Sequence, residues 1–180
     1  VNSWDEYVGG FINGNIAGVI NGVWIAGTIQ AAEDQAGKWE ITNLPKLDGI
    51  DGATNFSANG GSSWAISKTG DFDLAADFLK STFAGSTEFY DIILPKAGAV
   101  ANWIPAGASA VYAEPQPFFN DQPVFQMVVE FGAKVPANNT GVYYYEARDA
   151  VSAALTKVIG GGDMAAALAE AQSTVEFAMN

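Results

Sequence analysis

Apolar residues recur along most of this chain with the spacing of amphipathic helices. The clearest case is Asp71–Phe83, where they fall three or four positions apart directly after a turn. The segment Tyr143–Ile159 shows the same spacing, with an apolar face formed by Ala147, Val151, Ala154, Leu155 and Val158. Capping residues, Pro and Gly predict further helices from Trp4 to about Gly9–Gly14, at Trp24–Ala36, from Ser86 to Pro95, from Asn120–Pro123 onward, and at Met164–Phe177.

Short alternating or branched runs predict a few strands between these helices. Ile16–Ile20 and Trp39–Thr42 are two of them, and Trp64 with Ile66 suggests a third. The resulting fold class is α/β, rich in helices and with few short strands.

A glycine loop, Asn59-Gly60-Gly61-Ser62, precedes the third predicted strand. Its bare backbone N–H groups are suited to a polar ligand. A close crossing of two strands would require the same residues, and this is the more ordinary explanation of a Gly-Gly pair. Asp71–Phe83 must also bury its apolar face, against the C-terminal helices or a second copy.

Composition excludes several classes of function. The 180 residues carry a net charge of −12, so there is no basic stripe for nucleic acid. The absence of Cys and His removes thiol chemistry, Ser-His triads and ordinary zinc sites, so we expect no metal and no cofactor. The chain opens with Val1 and no leader pattern, as a processed protein or a fragment would.

Several stretches in the same order resemble the extracellular solute-binding proteins of ABC importers, specifically family 1, which is maltose-binding-protein-like. Phe11–Trp24 is similar to the family pattern F-x-x-G-x-x-A-x-x-x-x-G-x-W. The other similar stretches are Trp39–Pro45, Gly60–Ser67 with Ala75–Leu79, and Tyr144–Ala154 with Gly162–Gln172. The resemblance implies the helix-rich C-terminal lobe of a type II periplasmic-binding-protein fold.

Proteins of that family are about twice as long as this chain. The resemblance therefore implies a missing N-terminal lobe. It assigns residues 1–61 and 103–180 to the C-terminal lobe, and residues 62–102 to a crossing segment that belongs to the other lobe. It also implies ABC permease subunits as membrane partners, and a location outside the cell as a cell-surface lipoprotein or periplasmic protein.

The resemblance further implies which residues contact a carbohydrate. Trp24 would stack on a sugar ring, and Tyr144 would form a second aromatic platform with Arg148 one turn later. Gly60, Gly61 and Ser62 would offer backbone N–H groups and a hydroxyl. We expect Trp24 and Tyr144 to share one concave face with this loop near its rim.

Ordinary structural roles for these residues remain open. Trp24 would then be a core residue, and Arg148, the single Arg, would pair with Glu146 or Asp149. Trp4, Trp39, Trp64 and Trp103 are interpreted as core or lobe-packing residues.

The function that this combination favours is non-enzymatic capture of a carbohydrate for an ABC transporter. An enzyme lobe acting on glycans is the first alternative, although no spacing of carboxylates singles out a catalytic pair. The second alternative is a structural or adhesive domain of the cell surface.

Overall fold

A computed structural model describes residues 3–138 and 140–180 of the chain. The chain divides into two compact units, Val1–Pro136 and Ala137–Asn180. The first unit contains helices α1 (Trp4–Ile12), α2 (Ile25–Ile29), α3 (Phe72–Ser81), α4 (Thr87–Ala97) and α5 (Val124–Gly132). The second contains α6 (Tyr144–Ile159) and α7 (Met164–Ala178). None of the helices in the described ranges is both long and apolar enough to cross a bilayer.

Most helices begin where a polar side chain caps the first turn. The Ser3 hydroxyl accepts from the backbone N–H of Glu6 at 3.2 Å, which confirms the predicted start of α1. The same geometry starts three other helices, where the capping residues are Asp71, Ser86 and Asp163. Each cap satisfies a backbone donor that the helix itself leaves without a partner.

The predicted helix Trp24–Ala36 is wrong in length. The α-helix ends at Ile29, and a separate 3₁₀ turn follows at Glu33–Gln35. A tertiary interaction explains the break, because the Gln35 side chain donates to the carbonyls of Phe11 and Ile12. It also accepts from the Trp39 indole at 2.7 Å, so Gln35 is held by α1 rather than by a continued helix.

The predicted strands do not form, so the chain is more purely helical than the α/β prediction. The stretches 16–20, 39–42 and 64–66 are irregular. The only β pairing within the described residues is an isolated antiparallel bridge between Gln116 and Gln122. A strand needs a neighbour to satisfy its backbone. At Ile41 a side chain replaces that neighbour, since the Gln122 amide accepts from its N–H at 2.7 Å and donates to its carbonyl at 3.0 Å.

One buried cluster of the first unit lies between α1, α2 and the segments around them. Phe11, Ile25 and Ile29 are buried there, and Trp39 packs against them as expected. Other buried side chains include Leu94, Tyr112 and Val124. Burial of the apolar face of α3 by a second copy stays a prediction. Within this unit α3 has no buried residue. Its exposed apolar side chains are Phe72, Leu74 and Phe78.

The second unit is a helical hairpin held together by alanines. The buried residues of its seam are Ala150, Ala154, Ala167 and Ala171. This arrangement corrects the predicted apolar face of α6, because Val151 and Leu155 point away from the seam and are exposed. Alanines let two helix backbones approach closely, so α7 packs on the small-residue side of α6 instead of the bulky one.

Candidate functional site

Trp24 lies immediately before α2 with half of its surface (50%) exposed. Its indole N–H donates to the backbone carbonyl of Asn59 at 3.2 Å, a contact between positions 35 residues apart. The interpretation of Trp24 as a fully buried core residue is therefore wrong. Because the N–H already has a partner, the part of the indole that remains available to a ligand is its apolar face.

Gly22 makes this position of the indole possible. A β-carbon on Gly22 would lie 2.6 Å from the Asn59 carbonyl oxygen and 2.6 Å from the indole nitrogen of Trp24. Both distances are far below van der Waals contact. Glycine is therefore required because the Trp24 edge and the Asn59 backbone occupy the space that a side chain would take.

Two carboxamides form a polar border beside Trp24. The Oδ1 atom of Asn21 accepts from the Gly22 N–H at 2.8 Å and from Nδ2 of Asn59 at 2.7 Å. The Nδ2 atom of Asn21 is 3.4 Å from the Tyr7 hydroxyl. Sequence reasoning missed this cluster, because Asn21-Gly22 and Asn59-Gly60 each signal only a turn, and nothing in the sequence indicates that the two turns meet.

The glycine loop adjoins the same site through Gly60. The β-carbon position of Gly60 is 3.6 Å from the Trp24 indole nitrogen, and that of Gly61 faces open space. Their φ angles are 100° and 119°, a region that disfavours residues with side chains. No strand crosses the loop in the described part of the chain, so backbone conformation rather than crowding requires these glycines. Ser62 follows them and is exposed.

Trp4 lies beside Trp24, contrary to its interpretation as a core residue. The centroids of the two indoles are 5.9 Å apart with their planes tilted by 34°, and Trp4 is 52% exposed. Trp4 also contacts Tyr7, which in turn packs edge-on against the buried Phe11. Trp4, Tyr7 and Phe11 are three and four residues apart, so they share one face of α1.

The other predicted site residues belong to the second unit. Tyr144 and Tyr145 begin α6, and their exposed rings meet edge to face with centroids 5.4 Å apart. The Arg148 guanidinium lies 5.0 Å from the ring centroid of Tyr145, not over Tyr144 as the one-turn spacing predicted. The guanidinium also forms an ion pair with Asp149.

That ion pair is one of the two partners considered for Arg148. Its Nε and Nη2 atoms donate to one Asp149 oxygen at 2.9 and 2.8 Å. The hydrogen bond to Asp149 raises the pKa of Arg148 above its ordinary value, so the guanidinium stays charged. Both partners are exposed, so this pair contributes little to stability and can exchange with a ligand. A face shared by Trp24 and Tyr144 stays a prediction, since they lie in different units.

Comparison with known proteins gives one informative similarity. No protein family model matches this chain. Over 150 residues it is 40% identical to the lactose-binding protein of Rhizobium radiobacter. The aligned region is 83% of this chain and 35% of that protein. The chain is therefore similar, over most of its own length, to about a third of a lactose-binding protein.

Proposed function

We propose that this chain is the carbohydrate-binding C-terminal part of an ABC-importer solute-binding protein and that it binds its ligand without turnover. The observation that carries the proposal is the half-exposed indole of Trp24, which bonds to the backbone of Asn59 next to the paired carboxamides of Asn21 and Asn59. A sugar ring has an apolar C–H face and a rim of hydroxyls. An aromatic plane beside neutral donors and acceptors matches both parts of such a ligand.

The similarity to a lactose-binding protein supports the same class of ligand and makes lactose the first sugar to test. In this proposal Gly60, Gly61 and Ser62 contact the ligand's hydroxyls beside Trp24. Tyr144 and Arg148 provide a second contact, for which Arg148 must exchange part of its pairing with Asp149 for a sugar hydroxyl.

The remaining parts of the proposal rest on the family resemblance. The complete protein would hold its ligand between this lobe and an N-terminal lobe, with residues 62–102 belonging to the latter. It would act outside the cell, as a lipoprotein or in the periplasm, and deliver the sugar to permease subunits. The exposed apolar face of α3 supports the crossing assignment, because a second lobe would cover it.

The test is a titration of the 180-residue chain with lactose, followed through the indole N–H signals of ¹⁵N-labelled tryptophan. This readout detects weak binding as well as tight binding. We expect the Trp24 signal to shift saturably, and we expect Trp24→Ala to abolish the response of the remaining indoles. Trp64→Ala is the matched control, since Trp64 is also exposed but packs against Phe83 and not beside Asn59.

Two results would contradict the proposal. The first is that every indole signal stays unchanged with lactose, its component monosaccharides and longer oligosaccharides, which would favour a structural surface domain. Chromatography of the incubated sugar would reveal any hydrolysis products, and turnover abolished by substitution of an acidic residue would favour the glycan-active enzyme.

A further inference from the structure

The two exposed indoles of Trp4 and Trp24 form a larger apolar surface than either ring alone. Single exposed tryptophans need no explanation, but two in contact, each about half exposed, present one contiguous aromatic patch. Trp4 has no role in the function proposed above. Its position beside Trp24 is known only from the structure.

Both rings adjoin the same buried core. Trp4 contacts Tyr7 at a centroid distance of 5.7 Å, and Tyr7 contacts the fully buried Phe11 at 4.7 Å. Phe11 packs with Ile25, the residue that follows Trp24 in the chain. Since α1 and the start of α2 are joined through this core, the two indoles have little freedom to lose when a ligand binds.

The angle between the rings indicates the shape of the ligand. Because the ring planes are tilted by 34°, the two indoles do not offer one flat platform to a fused-ring molecule. Two sugar rings joined by a glycosidic bond can each place a C–H face on one indole. The hydroxyls of at least one ring would then lie beside the carboxamides.

The polar border favours a neutral ligand. Asn21 and Asn59 are uncharged, and among the hydrogen bonds of the described residues none reaches Oδ1 of Asn59, which leaves an acceptor for a hydroxyl. The net charge of −12 opposes the approach of an anion.

We propose that Trp4 and Trp24 together bind two consecutive sugar units of a neutral oligosaccharide, with Asn21 and Asn59 contacting the hydroxyls of the unit on Trp24. Trp4 is then the residue that distinguishes oligosaccharides from monosaccharides. This inference rests on the carbohydrate binding proposed above and adds the minimum length and the charge of the ligand.

The experiment compares galactose, lactose and galacturonate as probes of the ¹⁵N-indole-labelled chain. We expect lactose to shift the signals of both Trp4 and Trp24, and galacturonate to shift neither. Trp4→Ala should weaken lactose binding at least about tenfold, while galactose binding changes less than about twofold. Trp4→Phe should recover most of the lactose affinity, because it retains an aromatic face, and Trp64→Ala should change neither affinity.

The outcomes separate this inference from the proposed function. If lactose shifts Trp24 but leaves Trp4 unchanged, or if Trp4→Ala weakens galactose and lactose equally, the two-unit surface is wrong and carbohydrate binding stands. If no sugar shifts any indole in the unsubstituted chain, both proposals are wrong. The measurement on that chain decides the question even if Trp4→Ala fails to fold.

Discussion

The α-carbon of Gly22 faces the backbone carbonyl of Asn59 so closely that a β-carbon there would lie 2.6 Å from the carbonyl oxygen. The same carbonyl accepts the Trp24 indole N–H at 3.2 Å. Two turns that are far apart in the sequence therefore meet here, and this hydrogen bond occupies the indole N–H that a ligand could otherwise use.

Gly22→Ala should therefore displace the Trp24 indole. Relieving the overlap costs about 1–3 kcal/mol of folding free energy if the core holds, or else the ring moves and its hydrogen bond breaks. We expect a changed Trp24 indole N–H signal and weaker lactose binding. Gly18→Ala is the matched control, because a β-carbon on Gly18 meets nothing within 4 Å. Equal behaviour of the two variants would contradict this account of Gly22.

Gln122 should stabilise the first unit through the backbone of Ile41. Gln122→Ala removes both hydrogen bonds to Ile41, and we expect a loss of about 1–3 kcal/mol in the free energy of unfolding. Amide exchange at Ile41 should accelerate as well. Gln126→Ala is the control: its side chain bonds only to Glu130 on the exposed surface of α5, so about 0.5 kcal/mol or less is expected. Unchanged exchange at Ile41 would show that water replaces Gln122 without cost.

The alanine seam of the second unit should not tolerate a larger residue. Ala154 is buried against α7, so Ala154→Leu should push the helices apart and destabilise the hairpin by about 1–3 kcal/mol. The adjacent Leu155 is 55% exposed, and Leu155→Ala should change stability by about 0.5 kcal/mol or less. Thermal unfolding followed by circular dichroism measures both effects. A larger loss in Leu155→Ala would mean that the exposed face of α6 is the one that packs.

Tyr90 should make the protein less stable at alkaline pH. Burial raises the pKa of its phenol, and the neighbouring Tyr112 raises it further. Because the folded state favours the neutral phenol, Tyr90 makes its full contribution to the free energy of unfolding below the unfolded pKa of about 10. That contribution is lost as pH rises through the folded pKa. Tyr90→Phe should flatten that alkaline decline.

The same substitution has a second expected effect near neutral pH. Tyr90 donates to the carbonyl of Phe83 at 2.9 Å, so Tyr90→Phe should lower the free energy of unfolding by about 1 kcal/mol. Tyr145→Phe is the control, because Tyr145 is exposed on α6. Urea titrations at pH 7 and above pH 10 test both effects, and an unchanged alkaline slope in Tyr90→Phe would assign the decline to another group.

A protein that contains both lobes should bind lactose more tightly than this chain alone. One lobe provides one side of the ligand with aromatic and hydrogen-bonding contacts, whereas the sugar must shed water from both sides. Loss of the opposing contacts corresponds to several kcal/mol, or a factor of about a thousand in affinity. Calorimetric titration of both proteins with lactose measures the difference. Equal dissociation constants would place the whole site within these 180 residues.

The sequence by itself determined where the helices begin. Ser3, Asp71 and Asp163 each bond to a backbone N–H three residues later, and such local interactions are visible as spacing. It also assigned Trp24 and the Asn59–Ser62 loop to one candidate site, through motifs in the same order as in the family that the chain resembles.

Only the tertiary structure decided what each apolar residue packs against. The pattern of α6 contains Leu155 and Ala154 side by side, and the position of α7 determines that Ala154 is buried. The predicted strand at Ile41 depended on a neighbour, and the fold provides a single glutamine from 81 residues away. Trp4 has the helical spacing of a core residue, yet it is half exposed beside Trp24. Contacts between residues so far apart depend on how the chain folds back on itself, which local spacing does not record.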